Sequence, residues 1–257
     1  MTRTRTDGSL SRRLREVGFD WIVPDWPAPA RVQAFSTTRN DENGAPFDLP
    51  RDARTRSAAG ERLRRWLPAE PLWLKQVHGK AVLDADAADA ASDSREADAV
   101  VTRRVHAVCA VLTADCVPVL FTDSAGSVVA AAHAGWRGLA AGVLEAALGV
   151  MRVDPREVLV WLGPAIGPSA FEVGTDVLAA HSATDPGAGA CFAPFRPGKW
   201  LADLYALARR RLARAGVEAV YGGDRCTFSE STVFHSYRRD GAAAAGRMAT
   251  VIWREEA

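Results

Sequence analysis

The sequence predicts a mixed α/β fold: a single-domain layered sandwich of mixed β-sheets flanked by helices, spanning 19–257 behind a flexible N-terminal segment, 1–18. Three observations carry this prediction. Two apolar runs, Val117-Pro-Val-Leu-Phe121 and Val128-Val-Ala-Ala-Ala132, flank the polar turn Asp123-Ser-Ala-Gly-Ser127, which is the signature of a β-hairpin. The second run passes through His133-Ala-Gly-Trp-Arg-Gly138 into a small-residue helical segment from about Leu139 to residue 151. Further strand-like runs alternate with helix-periodic ones along the chain, with neither an internal repeat nor a linker-like composition between them.

Residues 1–18 read as a frayed or marginally helical start. Phe19-Asp-Trp-Ile-Val-Pro24 predicts a short strand, stopped by the proline-rich turn through Pro29. Arg31-Val-Gln-Ala-Phe-Ser36 predicts another strand, leading through Thr37-Thr-Arg39 into the turn-rich Asn40-Asp-Glu-Asn-Gly44. A helix is expected over 53–67, where Ala58, Leu63, Trp66 and Leu67 share a face, ended by Pro68 and Pro71. Strands are expected at 72–77, delivering His78 and Gly79, and at 81–83. An Ala/Asp/Ser-rich surface loop covers 84–97. Strands at 98–102 and 106–112 then feed the hairpin. Beyond it come a strand at 158–162, a short helix at 175–182 and a loop over 182–198. Leu201, Leu204, Tyr205, Ala208 and Leu212 recur at helical spacing over 199–215, with Gly216 as the C-terminal stop. Strands at 217–221 and 248–253 close the chain.

Composition narrows the function classes. Across 257 residues, 48% hydrophobic and 25% charged content is ordinary for a globular protein with a substantial core. The 32 basic and 31 acidic residues give a net charge of +1, which offers no support for nucleic-acid binding. The early cluster Arg3, Arg5, Arg12, Arg13 and Arg15 reads as a solvated tail. No apolar run approaches the roughly 18 residues of a membrane span, and the first residues carry no apolar core of a secretory signal. Cys109, Cys116, Cys191 and Cys226 are scattered without a CxxC pair, so a reducing compartment, the cytoplasm, is expected.

His78, Cys116 and His133 carry the sharpest chemistry, because each follows or opens an apolar run and so falls at a strand end. Two imidazoles and a thiolate suit a zinc site with one open position. The same three residues equally suit a cysteine nucleophile with a histidine base, or a buried cysteine beside two hydrogen-bonded histidines. Their wide separation in sequence matches no compact metal motif. Asp115 is either a ligand-orienting or acid–base group, or a turn former. Arg137 is either a phosphate clamp or a surface arginine. Arg238, Arg239 and Arg247 read mainly as a solvated charged loop.

Trp73-Leu-Lys-Gln-Val-His-Gly79, Ala97-Asp-Ala-Val-Val-Thr102, Thr113-Ala-Asp-Cys-Val-Pro118, His133-Ala-Gly-Trp-Arg-Gly138, Gly163-Pro-Ala-Ile-Gly167 and Ser236-Tyr-Arg-Arg-Asp-Gly241 resemble, in order, the motifs of the YfiH-like family. That family has also been called multicopper polyphenol oxidase or laccase-domain protein, purine nucleoside phosphorylase and peptidoglycan editing factor. The resemblance runs from about Arg31 to Trp253. It implies a layered α/β fold and zinc held by His78, Cys116 and His133, with copper as the metal of the family label. It also implies phosphorolysis of adenosine, inosine and methylthioadenosine, with possible deamination of adenosine. Arg39 and Arg137 are then the expected phosphate contacts, and Asp115 or a histidine the contact to the base. The chain departs from the family pattern in Thr37-Thr-Arg-Asn-Asp-Glu-Asn-Gly44, in Phe47-Asp-Leu49 and at His235 of Phe234-His-Ser-Tyr-Arg-Arg239.

True laccase chemistry fits poorly, since five histidines cannot supply both a type-1 copper site and a trinuclear cluster. A purine nucleoside phosphorylase acting on small-molecule nucleosides and phosphate is therefore expected, without nucleic-acid or membrane partners. The alternatives are a cysteine-dependent hydrolase of peptidoglycan precursors and a non-enzymatic, zinc-stabilised binding protein.

Overall fold

The computed structural model describes residues 9–50, 57–87, 96–244 and 246–256. Its centre is a six-stranded mixed sheet. In order across the sheet, this runs β12 (Ala219–Gly222), β8 (Val158–Leu162), β6 (Val117–Asp123), β7 (Val129–Ala134), β4 (Ala99–Thr102) and β3 (Val82–Asp84). A four-stranded sheet packs against one face, ordered β1 (Val32–Ser36), β13 (Met248–Arg254), β5 (Val108–Thr113) and β2 (Pro71–Leu72). A smaller sheet joins β10 (Phe192–Arg196), β11 (Lys199–Ala202) and β9 (Glu172–Gly174).

Alternation along the strands separates three cores. Val117, Val119 and Phe121 of β6 face one apolar layer, shared with Leu144 and Ala147 of α4 (Val143–Met151) and Leu212 of α6 (Leu204–Arg214). Leu120 points the other way, into a layer between the two large sheets that includes Cys109, Val111 and Ile252. On β5 and β13 the opposite parity holds. Val108, Ala110, Val251 and Trp253 turn to an outer core with Leu63 of α2 (Ala58–Arg64) and Leu10 and Leu14 of α1 (Ser9–Val17). Side-chain period two thus stacks helix, sheet, sheet and helix, as the sequence led us to expect. A fully buried side chain such as Phe121 contributes roughly 1.5–3 kcal/mol by leaving water.

The hairpin forms as read. Val117 pairs with Ala134 and Thr122 with Val129, and the Asp123 carboxylate accepts the Ser127 N–H and hydroxyl, both at 2.6 Å. Several boundaries differ. The segment read as flexible is helical over Ser9–Val17, because Leu10 and Leu14 fall on one face and bury; residues 1–8 lie outside those described, as do 51–56 of the helix expected over 53–67. In place of a strand at 19–24, only Ile22 bridges to Ser36. The run at 72–77 leaves its ladder after Leu72, and the Gln76 amide takes over both backbone groups of Leu112, each at 2.8 Å.

The helix after the hairpin starts earlier, as α3 (Trp136–Ala141), and breaks before α4 at Gly142, which adopts φ +95°. The loop expected over 182–198 contains α5's last residue (α5, Thr175–Ser182), a 3₁₀ turn Pro186–Cys191 and β10. The helix expected from 199 starts at Leu204, because Asp203 caps it by accepting the Ala206 N–H at 2.9 Å, leaving 199–202 free to pair. Near the C-terminus, Tyr237–Ala244 forms α7, kinked at Gly241. No helix among the described residues is long and apolar enough to cross a membrane.

Candidate metal centre

Sheet register assembles the centre. Pro118 lies opposite His133, so Cys116 emerges just before β6 where β7 gives way to Gly135. The pairing of Ala99 with Ala132 sets Asp98 beside His133, whose N–H donates to the Asp98 carbonyl at 2.7 Å. His78 arrives from a loop rather than a strand end, in the left-handed conformation (φ 61°), which is strained for a residue with a side chain. One potential ligand atom from each of His78, Cys116 and His133 lies within 4.8 Å of the others. His78 Nε2 is 3.9 Å from Cys116 Sγ, and the two imidazoles meet edge to face at 4.7 Å.

Asp98, which sequence reasoning passed over as the start of a strand, holds this arrangement together. Its buried carboxylate lies 2.8 Å from His133 Nδ1. It also accepts the backbone N–H groups of Val77 (3.2 Å), His78 (2.9 Å) and Gly79 (2.7 Å). The same group thus turns His133 Nε2 toward the cluster and pins the strained His78 loop. Burial works to raise the Asp98 carboxyl, but the bonds from His133 and the backbone outweigh it and hold it below its ordinary value. The available signal was the Asp98-Ala-Val-Val-Thr strand pairing beside a histidine-bearing strand, which one sequence does not disclose.

The electrostatics favour a thiolate. Burial pushes the Cys116 thiol up, yet His133 and His78 outweigh it and bring it down to about 6. Burial likewise lowers His133, but Cys116 and Asp98 overcome it and raise the imidazole to about 9. A thiolate and two imidazoles form a soft, nitrogen–sulfur donor set suited to zinc. Gly135 keeps the space open, since a Cβ there would stand 2.9 Å from Cys116 Sγ and 3.0 Å from His78 Cδ2. These residues fit a zinc ion with an open coordination position. The remaining histidines sit elsewhere: His106 pairs with Glu255, His235 with Asp48, and His181 is buried on α5. A multicopper cluster therefore has too few imidazoles here.

The cluster forms part of the wall of a cavity of about 780 Å³. Asp115 and Arg137, both expected at the site, line it. Asp115 (φ 90°) has both carboxylate oxygens engaged, by the Thr227 hydroxyl and the Arg238 N–H, each at 2.6 Å. Arg39 does not line it; its guanidinium reaches the Ser231 carbonyl at 2.7 Å instead. Arg238 and Arg247, read as solvated, line the cavity with Lys75 and Tyr237. Arg239 is a structural tie, donating to the carbonyls of Thr227, Phe228 and Phe234.

Comparison with known proteins agrees with this architecture. Residues 50–255 match the family described as multi-copper polyphenol oxidoreductase laccase. A protein of Pseudomonas aeruginosa named purine nucleoside phosphorylase is 48% identical over 245 residues, covering 92% of this chain and 99% of the relative. A purine nucleoside phosphorylase of Escherichia coli named YfiH is 48% identical over 247 residues, covering 90% and 98%. A crystal structure of a Neisseria meningitidis protein superposes with a TM-score of 0.83 at 46% identity, covering 92% of this chain and all (100%) of that one.

Proposed function

Because the chain belongs to the multi-copper polyphenol oxidoreductase laccase family, whose relatives at 48% identity are named purine nucleoside phosphorylases, we propose that it is a zinc-dependent purine nucleoside phosphorylase. The observation that carries this reading is the His78–Cys116–His133 cluster in the wall of a cavity that arginines also line. Adenosine, inosine and methylthioadenosine are the proposed nucleosides, and the cytoplasm the proposed compartment. Residues 19–257 serve as one catalytic domain, joined by the packed helix Ser9–Val17.

In phosphorolysis a phosphate oxygen bonds to the anomeric carbon of the ribose, the carbon–nitrogen bond to the purine breaks, and its electron pair leaves with the base. A bound zinc ion supplies Lewis-acid stabilisation of developing negative charge. The chain's own residues hold and orient. Asp98 fixes His133 through Nδ1 and seats His78 through the backbone. Guanidinium groups in the cavity wall bring the phosphate anion to the sugar and offset its charge. Tyr237, exposed at the cavity, offers the purine an aromatic face. Deamination of adenosine is a further proposed activity of the same centre.

The lowered Cys116 thiol also favours a second reading, a cysteine-dependent hydrolase acting on peptidoglycan precursors. The two separate cleanly. Phosphorolysis requires phosphate, yields free base with ribose 1-phosphate, and is lost on chelation and regained with zinc. A cysteine hydrolase is silenced by a thiol reagent without metal loss and is spared by chelation. Ammonia released from adenosine without phosphate reads out the deaminase activity.

A further inference from the structure

We infer that Asp115 is a positioning residue for phosphorolysis: its carboxylate and its carbonyl lock three segments of the cavity wall together, and it exchanges no proton with the purine. This rests on the phosphorylase reading and decides between the acid–base, ligand-orienting and turn-forming roles open to this residue. Asp115 stands in the turn between β5 and β6, one residue before Cys116. One carboxylate oxygen accepts the Thr227 hydroxyl and the other the Arg238 N–H, each at 2.6 Å. The Asp115 carbonyl accepts the Ile166 N–H at 2.9 Å. Ile166, Arg238 and its neighbour Tyr237 line the cavity together with Cys116.

These bonds close into two rings. The Thr227 N–H donates to the Ala165 carbonyl at 2.9 Å, so a path from Asp115 through Thr227, Ala165 and Ile166 returns to Asp115. The Arg239 guanidinium donates to the Thr227 carbonyl at 2.7 Å, so a second path runs from Asp115 through Arg238, Arg239 and Thr227 and returns as well. Thr227 is fully buried and stands outside the cavity wall. A buried polar network whose members are all satisfied rigidifies the segments it joins. The metal-ligand turn, the Ile166 loop and the start of α7 are thereby set as one unit.

The same geometry argues against a proton-transfer role. A general acid or base must reach the proton it moves on the substrate. Here each carboxylate oxygen is turned to a protein donor, and only 8% of the residue is exposed. The backbone of Asp115 adopts φ 90°, a costly conformation for a residue with a side chain, which persists where surrounding bonds over-determine it. Cys116 leaves from this fixed backbone, and Arg238 enters α7 from the other side of the same carboxylate. Displacing reacting groups by about 1 Å costs as much as about 100-fold in rate, so a tie that sets both sides of the site governs turnover without touching substrate.

The test compares Asp115→Asn and Thr227→Val with Asp123→Asn, which removes a buried carboxylate tie at the far end of β6, where Asp123 holds the Ser127 N–H. Inosine kinetics at saturating phosphate are followed across pH on the zinc-loaded full chain, beside denaturant unfolding. Positioning predicts that kcat/KM falls about 10–100-fold in Asp115→Asn and about 3–10-fold in Thr227→Val, with the shape of the pH profile unchanged in both. Asp123→Asn lowers stability but keeps kcat/KM within about threefold. Loss of one limb of the pH profile in Asp115→Asn, with Thr227→Val like the unsubstituted protein, overturns the inference in favour of direct proton transfer. Values within about threefold in both cavity-side variants also overturn it, as does an equal kinetic loss in Asp123→Asn, which reduces the effect to lost stability. If the unsubstituted protein cleaves no inosine, the phosphorylase reading falls and the cobalt(II)-loaded full chain decides the positioning role. A thiolate-to-cobalt absorption band weakened in Asp115→Asn and Thr227→Val, but not in Asp123→Asn, upholds it; equal bands in all four proteins overturn it.

Discussion

Asp98 and His133 are joined twice, once through the backbone (His133 N–H to the Asp98 carbonyl, 2.7 Å) and once through side chains (2.8 Å between Oδ1 and Nδ1). The first bond belongs to strand pairing and the second orients an imidazole. Carboxylates that hold a metal-bound histidine in this way set its tautomer and increase its basicity. Here the same carboxylate also satisfies three successive N–H groups around His78.

Asp98→Asn should therefore weaken zinc binding about 10–100-fold, because an amide presents a donor where only acceptors fit. Competition with a chromophoric chelator measures this directly. Zinc affinity equal to that of the unsubstituted protein would show that the carboxylate does not position the ligands.

Gly135→Ala places a methyl group 2.9 Å from Cys116 Sγ and 3.0 Å from His78 Cδ2. Overpacking of this kind costs about 1–3 kcal/mol. Denaturant unfolding should register that loss, and zinc content should fall with it. Gly149→Ala, where the added carbon meets nothing within 4 Å, should do neither.

Much of the fold was legible because it rests on local pattern. The hairpin turn carries Asp and Gly at positions the geometry needs, and α5 follows the residues 175–182 expected of it. Cys116 and His133 share that hairpin, so their proximity follows from its register. What remained hidden depends on non-local contacts. A strand over 72–77 is a sound local reading, but the Gln76 side chain replaces backbone pairing at Leu112. Arg238 and Arg247 look like any charged loop until α7 and β13 bring them to the cavity. Arg39, expected as a phosphate contact from the resemblance, does not line the cavity, and its guanidinium donates to the Ser231 carbonyl across a separation in sequence that no local pattern discloses.

Arg39→Ala should accordingly cost about 0.5–1.5 kcal/mol for the lost hydrogen bond, while kcat/KM for inosine stays within about threefold. A loss of inosine kcat/KM above about tenfold, measured by steady-state kinetics at saturating phosphate, would return Arg39 to the substrate site.

His181 gives the fold a pH dependence. Burial, with Arg211 nearby, lowers its imidazole from 6.5 to about 4. Between these values the unfolded chain binds a proton that the folded one refuses, so stability falls as pH drops from 6.5 toward 4 and is fully retained above 6.5. The contribution approaches roughly 3 kcal/mol at the acid end. His181→Phe should flatten this part of the unfolding profile; an unchanged slope would assign it to other groups.

The most direct measurement is release of hypoxanthine from inosine by protein of known zinc content, with and without phosphate, beside Cys116→Ala. The expected result is release that requires phosphate, yields ribose 1-phosphate in equal amount, and falls at least about 100-fold in the variant. No release by the zinc-replete protein, or equal release by Cys116→Ala, would contradict phosphorolysis at this centre.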